Sequence, residues 1–208
     1  MTLSENLKWD EHLWRNKQNM VRSIQVKTAM LKILKPFVPS SILFNVGQAM
    51  VNSTILYGAP VWGATSKTNK NKIQSAQIRA ARTITGTWNT KEKKSHRQDV
   101  LNQVGWLNVD QIINSSTLNL LKQTISNKTT HGMSKLFKVT QPQHNSRTSS
   151  LRVDHKGHPK KYNSSFSTNA PILFNNLNQE LKNPNQTTKQ FKTALRKVSN
   201  QMYKLEEH

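Results

Sequence analysis

Apolar residues recur along this chain at three- and four-residue intervals, and no stretch alternates convincingly with the two-residue period of a strand. From Trp9 to Phe37, Leu13, Met20, Ile24 and Leu31 share one face of a helix, while Arg15 and Arg22 point to the opposite side. Pro36 and Pro39 end this helix, and Ser40 and Ser41 offer an N-cap to a second one through Ile42, Leu43, Val46, Ala49, Met50 and Val51. Pro60 stops the second helix after Tyr57, Gly58 and Ala59. A third is expected from about Lys67 to Ile84. It turns Ile73, Ala76, Ala80 and Ile84 inward and Lys72, Arg79 and Arg82 outward, and it closes at Gly86.

Further on, the basic connector Lys91 to Arg97 leads to a short helix through Val100 and Leu101. A corner at Gly105, Trp106 and Leu107 follows, where the indole plugs a gap in the core. A fifth helix spans about Val109 to Ser126, with Val109, Ile113, Thr117, Leu120 and Thr124 on one face, flanked by Ile112 and Leu121. Between Thr140 and Ser164 almost no apolar residue occurs, so this span reads as a mobile basic loop. Phe166, Ile172, Leu173, Phe174 and Leu177 then form an apolar patch on a short helix ending near Lys182. Beyond Pro184 a last helix, about Thr188 to Leu205, aligns Phe191, Leu195, Val198, Met202 and Leu205, with Lys189, Lys192 and Arg196 on other faces. The expected fold is all-α. Residues 1–90 form a small bundle of about three helices, 91–139 a helical connector, 140–164 a flexible basic loop and 165–208 a C-terminal helical segment.

Charge changes this picture most. The 208 residues hold 31 Lys and Arg against 10 Asp and Glu, a formal net charge of +21. No carboxylate occurs between Glu11 and Glu92, while Arg15, Lys17, Arg22, Lys27, Lys32, Lys35, Lys67, Lys70, Lys72, Arg79, Arg82 and Lys91 all do. Solvated helix faces usually mix signs. An evenly basic surface without specific purpose is the plain alternative, but so long an acid-free span favours a polyanionic partner.

The same inventory removes other chemistries. With no cysteine there is no disulfide framework, thiolate nucleophile or cysteine-type zinc site. Asp10, Asp99, Asp110 and Asp154 are isolated, whereas two-metal polymerases and nucleases need clustered carboxylates. His144, His155 and His158 lack a second ligand cluster, and neither a Gly-rich phosphate loop nor a nucleophile elbow is present. The chain therefore reads as no enzyme, with no cofactor and no metal. Without a continuous apolar stretch near Met1, neither a signal peptide nor a membrane anchor is expected, and an intracellular place, nuclear or cytoplasmic, is. Aromatic side chains among cations are candidates for base stacking, and Trp88, in a polar segment beside Lys91, is preferred over Trp9, Trp14, Trp62 and Trp106.

The string Ile55-Leu56-Tyr57-Gly58-Ala59-Pro60-Val61-Trp62-Gly63 is followed by Ile73, Gln74, Gln77, Arg79, Ala80, Arg82, Ile84, Thr85 and Gly86 at fixed spacing. Together these resemble the C-terminal part of reverse transcriptases of non-LTR, jockey-like retrotransposons. Upstream, Thr2 to Leu13 looks like the segment after the last strand of the palm, and Leu34 to Phe37 like the end of the first thumb helix. Downstream, Gly105-Trp106-Leu107 and the run from Ser165 to Leu177 match the region beyond the thumb. Phe174 and Asn178 depart from the Trp and Pro usual there, as in a diverged or decayed copy.

The resemblance implies that the first three helices are a thumb holding a template-primer duplex by its backbone. It also implies that fingers, a palm with paired metal-binding aspartates and any endonuclease would precede Met1. RNA, DNA or their hybrid are the expected partners, together with the upstream palm of the same element. Arg15, Arg22, Lys67, Lys70, Lys72, Arg79, Arg82, Trp88, Lys91, Lys189, Lys192 and Arg196 are the candidate contacts. The Tyr57 to Gly63 string is read as a structural corner packed by Tyr57 and Trp62. A structural RNA-binding component of a ribonucleoprotein assembly, anchored through the 140–164 loop, is the alternative.

Overall fold

The computed structural model describes residues 12–13, 19–87, 96–126, 128–140, 152–155, 165–183 and 186–195. The described chain is mostly helical, as its 3.6-residue periodicity predicts, and it divides into two compact units, Met1–Ile112 and Ile113–His208. No helix among the described residues is long and apolar enough to cross a membrane.

In the first unit, α1 (Met20–Leu34) does not continue a helix from Trp9. Asn19 adopts an extended backbone (φ −74°, ψ 163°), and its Oδ1 accepts the Arg22 N–H at 2.7 Å. An Asn side chain satisfies a helix-start N–H that has no carbonyl partner, so it starts a new helix within the amphipathic pattern. Met20, Ile24, Thr28 and Leu31 are buried, and α1 packs chiefly on the later helix α5 (Lys67–Thr85).

The second helix is one rod in three parts: α2 (Ser40–Gly47), a π turn (Gln48–Asn52) and α3 (Ser53–Leu56), joined by residues in right-handed helical conformation. Pro39 rather than Ser40 or Ser41 occupies the capping position, without a side-chain bond. Leu43, Gly47, Val51 and Ile55 form the buried row, whereas Ile42 and Ala49 face solvent. Gly47 is dictated by space. A Cβ there would lie 2.5 Å from Ile84 Cδ1 and 3.0 Å from the Trp106 ring.

Pro60 does not stop this rod. The helix has already ended at Tyr57, Gly58 turns the chain at φ +65°, and Pro60 lies in the first turn of α4 (Ala59–Trp62), where its missing N–H costs no bond. Trp62 is fully buried, its Nε1 donating to the Tyr57 carbonyl at 3.0 Å. Tyr57, expected to pack the same corner, is 67% exposed and contributes its backbone instead.

Ser66 caps α5, which ends at Gly86 (φ +81°) as expected. The small residues Ala76, Ala80 and Ala81 lie on its buried side and permit close helix approach. After α6 (His96–Gln103), Gly105 (φ +65°) donates to the Asn102 carbonyl and Trp106 N–H to that of Leu101, a Schellman closure that delivers the buried indole. The first turn of α7 (Val109–Ile125) is set by a reciprocal capping box. Gln111 N–H donates to Asn108 Oδ1 and Asn108 N–H to Gln111 Oε1, both at 2.9 Å.

A chain of side-chain amides joins these parts. Asn52 Nδ2 donates to Gln48 Oε1 at 2.7 Å. The fully buried Gln77 donates from Nε2 to Asn52 Oδ1 at 3.0 Å and to the Leu107 carbonyl at 2.9 Å. Its Oε1 accepts from Gln74 Nε2 at 3.0 Å, and Gln74 Oε1 accepts the Val109 N–H at 2.8 Å.

The second unit packs residues 113–125 of α7 with α8 (His131–Ser134), β1 (Phe137–Thr140), β2 (Arg152–His155), α9 (Phe166–Asn175), a 3-10 turn (Gln179–Lys182) and α10 (188–195). The span 140–164, expected to be a flexible basic loop without strands, contains β2, which pairs antiparallel with β1 in the register Val139 to Val153. Val153 is fully buried beside Leu121, Phe137, Phe174 and Phe191 in the core of this unit. Asn175 secures it. Its Oδ1 accepts the Val153 N–H at 3.2 Å and its Nδ2 donates to the Val153 carbonyl at 2.8 Å, as a neighbouring strand would. Phe137 meets Phe166 edge to face, with centroids 5.8 Å apart. Of the last predicted apolar stripe, Phe191 and Leu195 enter this core, and Val198, Met202 and Leu205 lie outside the described residues.

Lys122 is the exception inside this core. Its side chain is buried, Nζ donates to the Asn183 carbonyl at 2.9 Å, and the ammonium lies 5.7 Å from the centre of the Phe191 ring. Burial lowers its pKa below the usual lysine value of 10.5.

Two consequences can be measured. Gln77→Leu keeps the volume but strips donors from Asn52 Oδ1 and the Leu107 carbonyl and the acceptor from Gln74. It should lower stability by about 2–4 kcal/mol in urea unfolding, with the slope unchanged. Lys122 binds its proton less tightly when folded, so the unfolded chain carries more protons below pH 10.5 and stability rises with pH through that alkaline window. Lys122→Met should remove this rise, read as a flatter profile of unfolding midpoints on the alkaline side below pH 10.5.

Candidate nucleic-acid interface

The inner side of α5 is filled by Ile73, Ala76, Gln77, Ala80, Ala81 and Ile84, which fixes the rotation of the helix and therefore its outer side. Thr68, Asn71, Ser75, Arg79 and Arg82 follow at three- and four-residue steps, with Lys72 four residues beyond Thr68, and form one stripe. Val21 and Gln25 of α1 face the upper part of that stripe. Together with Thr68, Asn71, Lys72, Ser75, Ala76 and Arg79 they line a cleft of about 450 Å³. A second hollow of about 270 Å³ is lined by Ser75, Ile78, Arg79, Arg82 and Arg97. The two share Ser75 and Arg79, and among the described residues no carboxylate lines either.

Of the residues expected to touch nucleic acid, Lys72, Arg79 and Arg82 are brought together here. Arg22 and Lys67 are exposed but line neither hollow. Lys70 does not belong to the stripe. It lies two residues from Lys72, about 200° around a helix of 3.6 residues per turn, and its Nζ pairs with Asp110 Oδ1 at 3.1 Å. The span from His12 to Lys91 thus receives a counter-ion from beyond its own end. Lys189 and Lys192 are exposed on α10 in the second unit. Arg15, Trp88, Lys91 and Arg196 lie outside the described residues, as do His144 and His158.

Other cations of the acid-free span perform structural tasks. Lys27 Nζ donates to Thr54 Oγ1 and so links α1 to α3. Lys35 Nζ donates to the Thr83 carbonyl at 2.9 Å, placing a positive charge at the C-terminus of α5, where the aligned peptide dipoles favour it.

Arg97 was missed as a site residue. It lies 15 positions from Arg82 with no shared period, and its place in the basic connector was the sole signal in the sequence. Gln25, Asn71 and Ser75 carry no charge and gave no signal. Chemically, the stripe offers planar guanidinium forks that bind phosphate oxygens in pairs, an ammonium that acts as a point charge, and amide and hydroxyl groups for sugar or phosphate.

Asp110 is 68% exposed, so its pair with Lys70 is well screened. Asp110→Asn should therefore change the urea midpoint by less than about 1 kcal/mol in stability. No protein-family model matches the chain, no curated protein matches it, and no solved structure matches it.

Proposed function

We propose that this chain is the thumb-bearing C-terminal part of a non-LTR retrotransposon reverse transcriptase, and that it grips the backbone of RNA, DNA or their hybrid without sequence specificity and without catalysing synthesis. The observation that carries the proposal is the cleft between α1 and α5, lined by no carboxylate among the described residues, with Lys72, Arg79 and Arg82 on one helix face. Cations on a rigid helix face read the regular spacing of phosphates and not the bases, which is the demand on a surface that must hold any template. The Tyr57 to Gly63 string and the Gln74 and Gln77 positions support the same reading. They build the corner and the amide chain that fix α5 beneath the cleft. The primary partner is thus a polynucleotide, and the palm would be supplied from outside the chain.

Replacing Arg79 and Arg82 together by Glu tests this directly. Affinity for oligonucleotides of unrelated sequence should fall to a similar extent for each. The slope of log Kobs against log salt concentration should also flatten by about two, one for each lost phosphate contact. Fluorescence anisotropy across a salt series reads both. Unchanged affinity and slope would overturn the assignment of this face.

A further inference from the structure

Arg79, Arg82 and Arg97 converge on the 270 Å³ hollow with more positive charge than a single backbone phosphate requires. Arg79 and Arg82 are one turn apart on α5, and Arg97 comes from the first turn of α6, which packs on α5. Among the described residues none of the three guanidiniums has a hydrogen bond or ion pair. Asp99, two positions beyond Arg97, does not line the hollow. The Ser75 hydroxyl donates to the Asn71 carbonyl at 2.8 Å, so among the described residues the arginines are the side-chain donors lining the hollow, beside the buried Ile78. Three like charges around one concavity repel each other until an anion of matching charge enters.

An internal phosphodiester offers one charge and two unbridged oxygens. A terminal phosphomonoester carries about −1.5 to −2 charges at neutral pH and three acceptor oxygens, one for each guanidinium. The longer cleft meets the hollow at Ser75 and Arg79, so a strand lying against Lys72 and Asn71 reaches the three arginines at one end. We propose that Arg79, Arg82 and Arg97 form a receptor for the terminal phosphate of a nucleic-acid strand whose backbone lies in the cleft between α1 and α5. This rests on the backbone-binding reading of that cleft.

The test compares oligonucleotides of one sequence carrying a phosphate at the 5′ end, at the 3′ end or at neither, bound to the full chain at fixed salt. One phosphorylated end should bind about tenfold tighter than the hydroxyl form. Arg97→Gln should abolish that preference, whereas Lys138→Gln, which removes one exposed charge from the second unit, should leave it intact. Equal binding of all three oligonucleotides, with salt-dependent affinity retained, would overturn the terminal receptor and leave the backbone reading standing. No binding of any oligonucleotide at low salt would overturn both. Displacement of the phosphorylated strand by an equal concentration of inorganic phosphate would assign the hollow to a free ion and likewise overturn the proposal.

Discussion

The first unit depends on one buried primary amide. Gln77 has two N–H donors and a carbonyl oxygen, and the two N–H groups meet Asn52 and Leu107 while the oxygen meets Gln74. In an apolar interior an unmet amide is expensive, so each of these bonds also excludes alternative placements of its partner. The rod of α2 and α3, the corner at Leu107 and the first turn of α7 are thereby referred to a single residue of α5. The π turn belongs to the same arrangement: Val51 and Asn52 are consecutive and both buried, so one turn supplies an apolar contact to the core and an amide to Gln77. Gly47, a turn earlier, keeps the rod close enough to Ile84 and Trp106 for that amide to reach.

A helix held this firmly on its inner side has no freedom on its outer side. The stripe from Thr68 to Arg82 is therefore a consequence of the core, and its cations are presented at fixed spacing. Fixed spacing matters for a polyanion because pre-set charges need not be ordered on binding. The acid-free sequence alone implied basic outer faces on the first and third helices. Folding concentrates that charge, because Lys27, Lys35 and Lys70 are committed to Thr54, Thr83 and Asp110, while Arg79, Arg82 and Arg97 gather at one hollow.

Periodicity made the helices legible. Met20, Ile24 and Leu31, and Ile73, Ala76, Ala80 and Ile84, are buried where the pattern placed them, and Gly86 ends α5 as its position indicated. What periodicity does not carry is local hydrogen bonding: the Asn19 cap starts α1 inside an amphipathic run, and the capping bonds of Asn108 and Gln111 are made by polar side chains that an apolar stripe does not register. β2 was invisible for a related reason. Four residues with one apolar member show no alternation, and the strand is held by pairing to β1 and by the Asn175 side chain, both distant in sequence. The site was half legible. Lys72, Arg79 and Arg82 share a helical face that spacing reveals, but the arrival of Arg97 and the departure of Lys70 depend on how α6 and α7 pack around α5.

A mean hydropathy of −0.71 is low for a chain that builds two cores. The second unit uses polar side chains to satisfy backbone groups. Lys122 reaches the Asn183 carbonyl from within the core, Lys182 Nζ donates to the Asn175 carbonyl at the end of α9, and Asn175 itself completes β2. Long cations suit this work because their methylene stems pack with apolar neighbours while the ammonium finds a carbonyl. Lys35 does the same for α5 in the first unit. Part of the lysine content is therefore architectural, and a low hydropathy score counts as surface what the fold uses as internal fastening. The formal charge of +21 overstates what is available to a polyanion for the same reason. The proposed binding of a polyanion rests on the arginines at the end of the α1–α5 cleft, unpaired among the described residues, more than on the total.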